Sequence, residues 1–98
     1  MFKTIILPLA KKDIKEAATW YNNRQNGLGI RFTTEIRERI QFIKSNPSSV
    51  AIRYDSIRTL PLRVFPYMMH FELDLKNKLI VISAVFHTSR DSNEWKSR

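Results

Sequence analysis

Two side chains able to do chemistry follow directly on the most apolar run of the chain. Residues 79–86, LIVISAVF, hold no charge, proline or glycine, and His87 and Arg90 come immediately after, within HTSRD. An imidazole changes charge near neutral pH, so His87 can act as a proton donor or acceptor. The Arg90 guanidinium stays charged and presents a planar fork of donors that matches carboxylates and phosphates. Polar groups held at the end of a rigid element are a common arrangement for a working site. The other histidine, His70, alternates with Glu72 and reads as a solvated or pairing residue. Met68 and Met69 read as filler of a core or an interface.

Placing His87 and Arg90 requires a stiff frame, and the hydrophobic patterns describe one. The 79–86 run is apolar on both alternating faces, which predicts a central strand covered above and below. Upstream, Tyr67, Met69, Phe71 and Leu73 share one face of a strand over 67–74, and Met68, His70, Glu72 and Asp74 share the other. The first set is expected to meet helices and the second to face solvent or a partner. Lys76-Asn77-Lys78 forms a tight polar turn, so these two strands make an antiparallel hairpin. A third strand is expected over 56–65. Pro61 and Pro66 donate nothing to a ladder and place it at an edge or give it a bulge. Arg58 and Arg63 fall at opposite parities of that strand and share a face only through such a bulge. One more strand is expected over 2–9, ended by Pro8.

The first helix is expected over 10–24. Ile14, Ala17, Ala18 and Tyr21 form its buried stripe, and Asp13 lies in its first turn, where a negative charge favours the dipole. Asn22 to Gly27 turn the chain. A second helix is expected over 28–45, with Leu28, Phe32, Ile36, Ile40 and Ile43 on its apolar face. Arg31, Glu35 and Arg39 form a ladder of alternating charge on its outer face. Asn46-Pro47 ends it. Helices this short need a sheet to cover. The expected fold is therefore a single α+β domain over 1–98, in the order β-α-α-β-β-β, with a helical hairpin on one face of an antiparallel sheet.

The totals exclude several classes of function. The 98 residues contain no cysteine, which removes disulfides and thiolate metal sites. His70 and His87 have no ligand cluster near them, so no metal and no cofactor is expected. No stretch reaches the ~20 apolar residues of a membrane span, and the N-terminus lacks a secretory pattern, so a cytoplasmic protein is expected. Seventeen Lys and Arg oppose nine Asp and Glu, a net charge of +8. The excess is spread along the chain: nine basic against four acidic residues in 1–50, and eight against five in 51–98. Such a domain suits a polyanion or an acidic protein partner.

The order of elements and a series of residues resemble the RelE/ParE superfamily, the toxins of bacterial type II toxin–antitoxin pairs. The residues are Ala10, Asp13, Ile14, Glu16, Ala17, Trp20 and Tyr21; Leu28-Gly29 with Phe32; Asn46-Pro47; Arg58; Phe65-Pro66-Tyr67; and AVFHTSRD at 84–91 with Trp95. The resemblance covers essentially the whole chain, and its H-x-x-R-D-x-x-x-W ending is most similar to the ParE branch. It implies a growth-inhibiting toxin that poisons DNA gyrase without being a nuclease and that serves in plasmid stabilisation. It also implies a cognate acidic antitoxin, partly disordered until bound.

The RelE branch instead cleaves messenger RNA on the ribosome, and on that alternative His87, Arg90 and Arg63 are the catalytic candidates. His87 would move a proton, while the two arginines would hold the scissile phosphate. Arg63, four residues before Tyr67, stands where that branch has a catalytic arginine, and Arg90 matches its C-terminal one. Two departures count against this alternative. The branch carries a lysine pair ahead of its middle strands, where 49–57 offers only Arg53. It also ends with a tyrosine that acts as acid or base, where the chain has Trp95, whose indole cannot. On either branch Arg58, Arg63, Arg90 and Trp95 are candidates for contact with the target or the antitoxin, and Arg90 is expected beside a cationic hollow. The plainer alternative folds the C-terminal segment back, with Trp95 covering the sheet edge and Arg90 capping carbonyls. Self-association stays open.

Overall fold

In the computed structural model, which describes residues 1–97, the chain runs β1 (Lys3–Ile6), α1 (Pro8–Arg24), α2 (Leu28–Ser45), β2 (Ile52–Tyr54), β3 (Ile57–Pro61), β4 (Tyr67–Asp74), β5 (Leu79–His87) and a 3₁₀ turn at Ser92–Ser97. The expected α+β class holds, and the helical hairpin packs on one face of the sheet. The strands lie in the order β1-β5-β4-β3-β2. β1 runs parallel to β5 and the other neighbours are antiparallel, so the sheet is mixed. β5 is paired on both sides, as its apolar run requires.

Three local features differ from the expectation. Pro8 opens α1 and does not simply end a strand; at the first helical position its missing N–H costs nothing. Asp13 therefore sits beyond the first turn. A short strand, β2, pairs with β3, so β3 is not an edge, and Pro61 is its last residue. Only three residues long and largely exposed, β2 carries too little apolar pattern to be seen in the sequence. The helices meet closely at Gly29, where a Cβ would lie 2.6 Å from the Ala18 carbonyl oxygen.

The core under the helices is built from Phe32, Ile36, Ile40 and Ile43 of α2 against Met69, Phe71, Ile80, Ile82 and Val85 of the sheet, with Ala17 and Phe65. A bulge decides which residues of β5 join it. Phe71 pairs with Ile82 and His70 with Ala84, so the register skips Ser83. One extra residue reverses the alternation. Val85 thus joins Ile80 and Ile82 on the helix side, while Ala84 and Phe86 turn to the other face.

That other face is not left to solvent. His70 is 0% exposed: its Nδ1 lies 2.9 Å from the Tyr54 hydroxyl, and its ring packs edge-on to Phe86 and Trp95. Of the two settings expected for His70, solvated or pairing, the pairing one is found, and it is buried. The cause is the C-terminal turn, which folds back and lays Trp95 over Tyr54, Met68, Ala84 and Phe86.

Candidate functional site

β1 covers β5 only from Leu79 to Ile82. Beyond that point the chain has turned into α1, which crosses the opening and leaves a cleft of about 400 Å³. One wall is a single stripe of α1: Asp13, Glu16, Ala17 and Trp20, with Tyr21 beside it. Tyr67 of β4, Val85, Phe86 and His87 of β5, and Arg90 form the rest. The Ser83 bulge turns Val85 and His87 toward this side.

Each polar group in the cleft has a definite setting. Asp13 Oδ2 accepts the backbone N–H of Val85 at 3.0 Å, an amide that β1 is too short to reach. His87 is exposed at the end of β5, and its Nδ1 accepts the Ser89 amide at 3.0 Å, with the Ser89 hydroxyl at 2.8 Å. A backbone N–H can only donate, so this bond assigns the imidazole proton to Nε2. Arg90 is exposed: its Nε lies 3.5 Å from Glu94, and its guanidinium lies 4.4 Å from the Phe86 ring centroid. Burial pushes the Tyr67 phenol above its ordinary range; Tyr21 adds to the rise, Arg90 opposes it, and Asp13 adds a little more. Tyr67 thus stays a protonated donor at neutral pH, edge-on to His87 at 5.1 Å. Trp20 is 51% exposed at the rim, with Arg24 stacked 4.2 Å over its ring.

The cleft is mixed in charge and not the cationic hollow expected beside Arg90. Arg90 and His87 face a helix stripe that carries the Asp13 and Glu16 carboxylates. A phosphate would meet one favourable side and one repulsive side. An aromatic or apolar anchor with a polar end fits the ring-lined walls better.

The other candidates lie elsewhere. Arg63 is exposed in the loop between β3 and β4 and does not line the cleft. Arg58 is half-buried on β3 and donates from Nη1 to the Val50 carbonyl at 2.6 Å. Trp95 is 7% exposed, between His70, Tyr54 and the Arg53 guanidinium, so its ring packs the interior and offers little surface to a partner. Its place matches the plainer alternative of a folded-back segment, laid over the sheet's outer face.

Glu35 is the residue whose role the sequence most obscured. It is 6% exposed and belongs to no charge ladder: its carboxylate accepts the backbone amides of Arg63, Val64 and Phe65. Three successive N–H groups form an anion-binding nest, which the chain fills with its own side chain. Tyr67 and Asp13 also stood among the resembling residues with no role in the cleft given to them. Only the pairing of Val85 with α1 across the bulge reveals theirs.

The sequence matches a family model described as the ParE toxin of the type II toxin–antitoxin system parDE, over residues 4–92. The chain belongs to this toxin family. No curated protein sequence matches it. Among solved structures, this toxin is similar to a chain of the chromosomal ParDE system from P. aeruginosa, with TM-score 0.78 and 18% identity over 91% of this chain and 98% of that one. It is also similar to a chain of the intact E. coli RelBE toxin–antitoxin complex, with TM-score 0.66 and 13% identity over 92% of this chain and 100% of that one. The isolated E. coli RelE toxin gives TM-score 0.65 and 12% identity over 99% and 95%. At these identities the likeness is one of fold. Among the described residues no helix is long and apolar enough to cross a membrane.

Proposed function

We propose that this type II toxin inhibits growth in the cytoplasm by poisoning DNA gyrase, and that a cognate acidic antitoxin neutralises it. The match to the ParE toxin family over residues 4–92 carries the reading. Two features of the cleft and one outside it favour it over RNA cleavage. The carboxylates of Asp13 and Glu16 line it, against a phosphate backbone. The His87 Nδ1 lone pair is engaged by Ser89, so the ring lacks a free base nitrogen in this arrangement. Arg53, the one cation where a lysine pair belongs in nucleases of the superfamily, stacks 5.2 Å over Trp95. The antitoxin is supported by similar chains solved as toxin–antitoxin complexes and by the net charge of +8, which suits an acidic partner.

Ribosome-dependent cleavage of messenger RNA is the second reading, and the Tyr67 phenol favours it. It supplies beside His87 and Arg90 the proton-carrying group that the C-terminus lacks. Purified toxin added to a gyrase supercoiling reaction and to a translating ribosome extract separates the two. Accumulated gyrase-cleaved DNA with intact message supports the first reading. Truncated message with normal supercoiling overturns it in favour of the second, and then His87→Ala and Arg90→Ala should each slow cleavage by roughly 10²-fold.

A further inference from the structure

A strand edge is normally capped by another strand, by solvent or by a side chain that takes over its hydrogen bonds. β5 has the first kind of cap only from Leu79 to Ile82, where β1 lies alongside. At Ser83 the ladder to β4 slips by one residue, and the next inward-facing amide, that of Val85, points at the side β1 has vacated. The group that meets it comes from α1: Asp13 Oδ2, at 3.0 Å.

We infer that Asp13 is a positioning residue whose carboxylate replaces the missing strand, holds the register of β5 beyond the bulge, and so sets the direction in which His87 and Arg90 enter the cleft. A bulge is a two-way choice. With Ser83 extruded, Val85 and His87 face the helices; with the bulge relaxed, the period of two would carry them to the opposite face. The Ser83 hydroxyl, 3.3 Å from the His70 carbonyl oxygen, ties the bulge to β4. The bond from Val85 to Asp13 ties it to a different element, 72 residues away in sequence. It is therefore the contact that couples the angle of α1 to the aim of the strand end. The same helix stripe supplies the opposite wall of the cleft, so one carboxylate sets both sides. The claim about function rests on the reading that this cleft is the toxin's working surface.

The test compares Asp13→Asn, which keeps an oxygen acceptor, with Asp13→Ala, which does not. Amide hydrogen exchange at Val85 and the His87 ring resonances are read by NMR on the full chain. Ile82, on the strand-paired side of the bulge, serves as the internal reference. Asp13→Ala should raise exchange at Val85 by about tenfold or more relative to Ile82 and shift the His87 ring signals, while Asp13→Asn keeps both near the parent. Protection at Val85 and unchanged His87 signals in a folded Asp13→Ala overturn the inference. Should Asp13→Ala fail to fold, Asp13→Glu, which moves the carboxylate by one methylene, is read in its place: a shifted His87 signal supports the inference and an unmoved one overturns it. Growth inhibition on expression distinguishes the two levels of the claim. Loss in Asp13→Ala with rescue in Asp13→Asn supports both. Altered NMR signals with full toxicity leave the positioning role standing and remove the cleft as the working surface.

Discussion

The two faces of the sheet are held by different means. Under the helices, Phe32, Ile36, Ile40 and Ile43 interlock with Met69, Phe71, Ile80 and Ile82, and four aromatic rings (Tyr21, Phe32, Phe65 and Tyr67) meet at centroid distances of 4.7 to 6.1 Å. On the opposite face, Ala84, Phe86 and His70 are covered by one long-range side chain, Trp95, with Tyr54 reaching over from β2. The first face is redundant: each residue has several neighbours from regular elements. The second depends on a six-residue turn at the end of the chain. Rigidity on one face and a detachable cover on the other is the physical difference.

The largest effect is expected at the centre of the ring cluster. Phe32 is 0% exposed and touches three of the other rings. Phe32→Ala should cost about 3–5 kcal/mol in denaturant unfolding, through lost transfer energy and a cavity the stacked rings cannot close. Against a total of roughly 5–15 kcal/mol for a domain, that leaves a marginal fold. A loss near 1 kcal/mol would mean the helix side is looser than its packing and no more rigid than the outer face.

The second largest belongs to the polar clamp on the same side. Removing the Glu35 carboxylate leaves the amides of Arg63, Val64 and Phe65 without their acceptor. Glu35→Ala should cost about 3 kcal/mol, while Glu35→Gln, which keeps one oxygen, should cost about 1 kcal/mol. Equal losses would show that the charge, and not the hydrogen bonding, is what the loop requires. Because the loop carries Arg63, the same variants report whether its placement matters to growth inhibition.

How legible each face was in the sequence follows the same division. The helix side could be read because its residues repeat locally: α2 was placed at 28–45, and the inward set of β4 was named residue by residue. Periodicity carries no information about an extra residue in a ladder, so the Ser83 bulge, and with it the aim of His87, stayed hidden. Nor does it say that Glu35, spaced like a surface ladder with Arg31 and Arg39, faces a loop 28 residues away. The burial of His70 stayed hidden for the related reason that what covers it comes from the far end of the chain. Their place just after the apolar 79–86 run brought His87 and Arg90 forward, and these two do share a cleft. Arg63, Arg58 and Trp95 lie outside it, which strand parity alone could not show.

The smallest effect is the most informative about the second face. Trp95→Ala removes a ring that is 7% exposed, and by volume alone it should rival Phe32→Ala. The loss is capped, however, by the free energy that holds the C-terminal turn down. Once the turn is released, no further penalty accrues, because the helix-side core does not include it. The expected cost is therefore about 1–2 kcal/mol, below the usual range for a buried tryptophan. A Trp20→Phe background leaves Trp95 as the sole indole, since the chain has two tryptophans. If the cover is detachable, its fluorescence should change at a lower denaturant concentration than the helical signal. Coincident transitions, together with a Trp95→Ala loss as large as that of Phe32→Ala, would show that both faces melt as one cooperative unit. His70 and Tyr54 would then have to bind the outer face to the core more tightly than the hydrogen bond between them suggests.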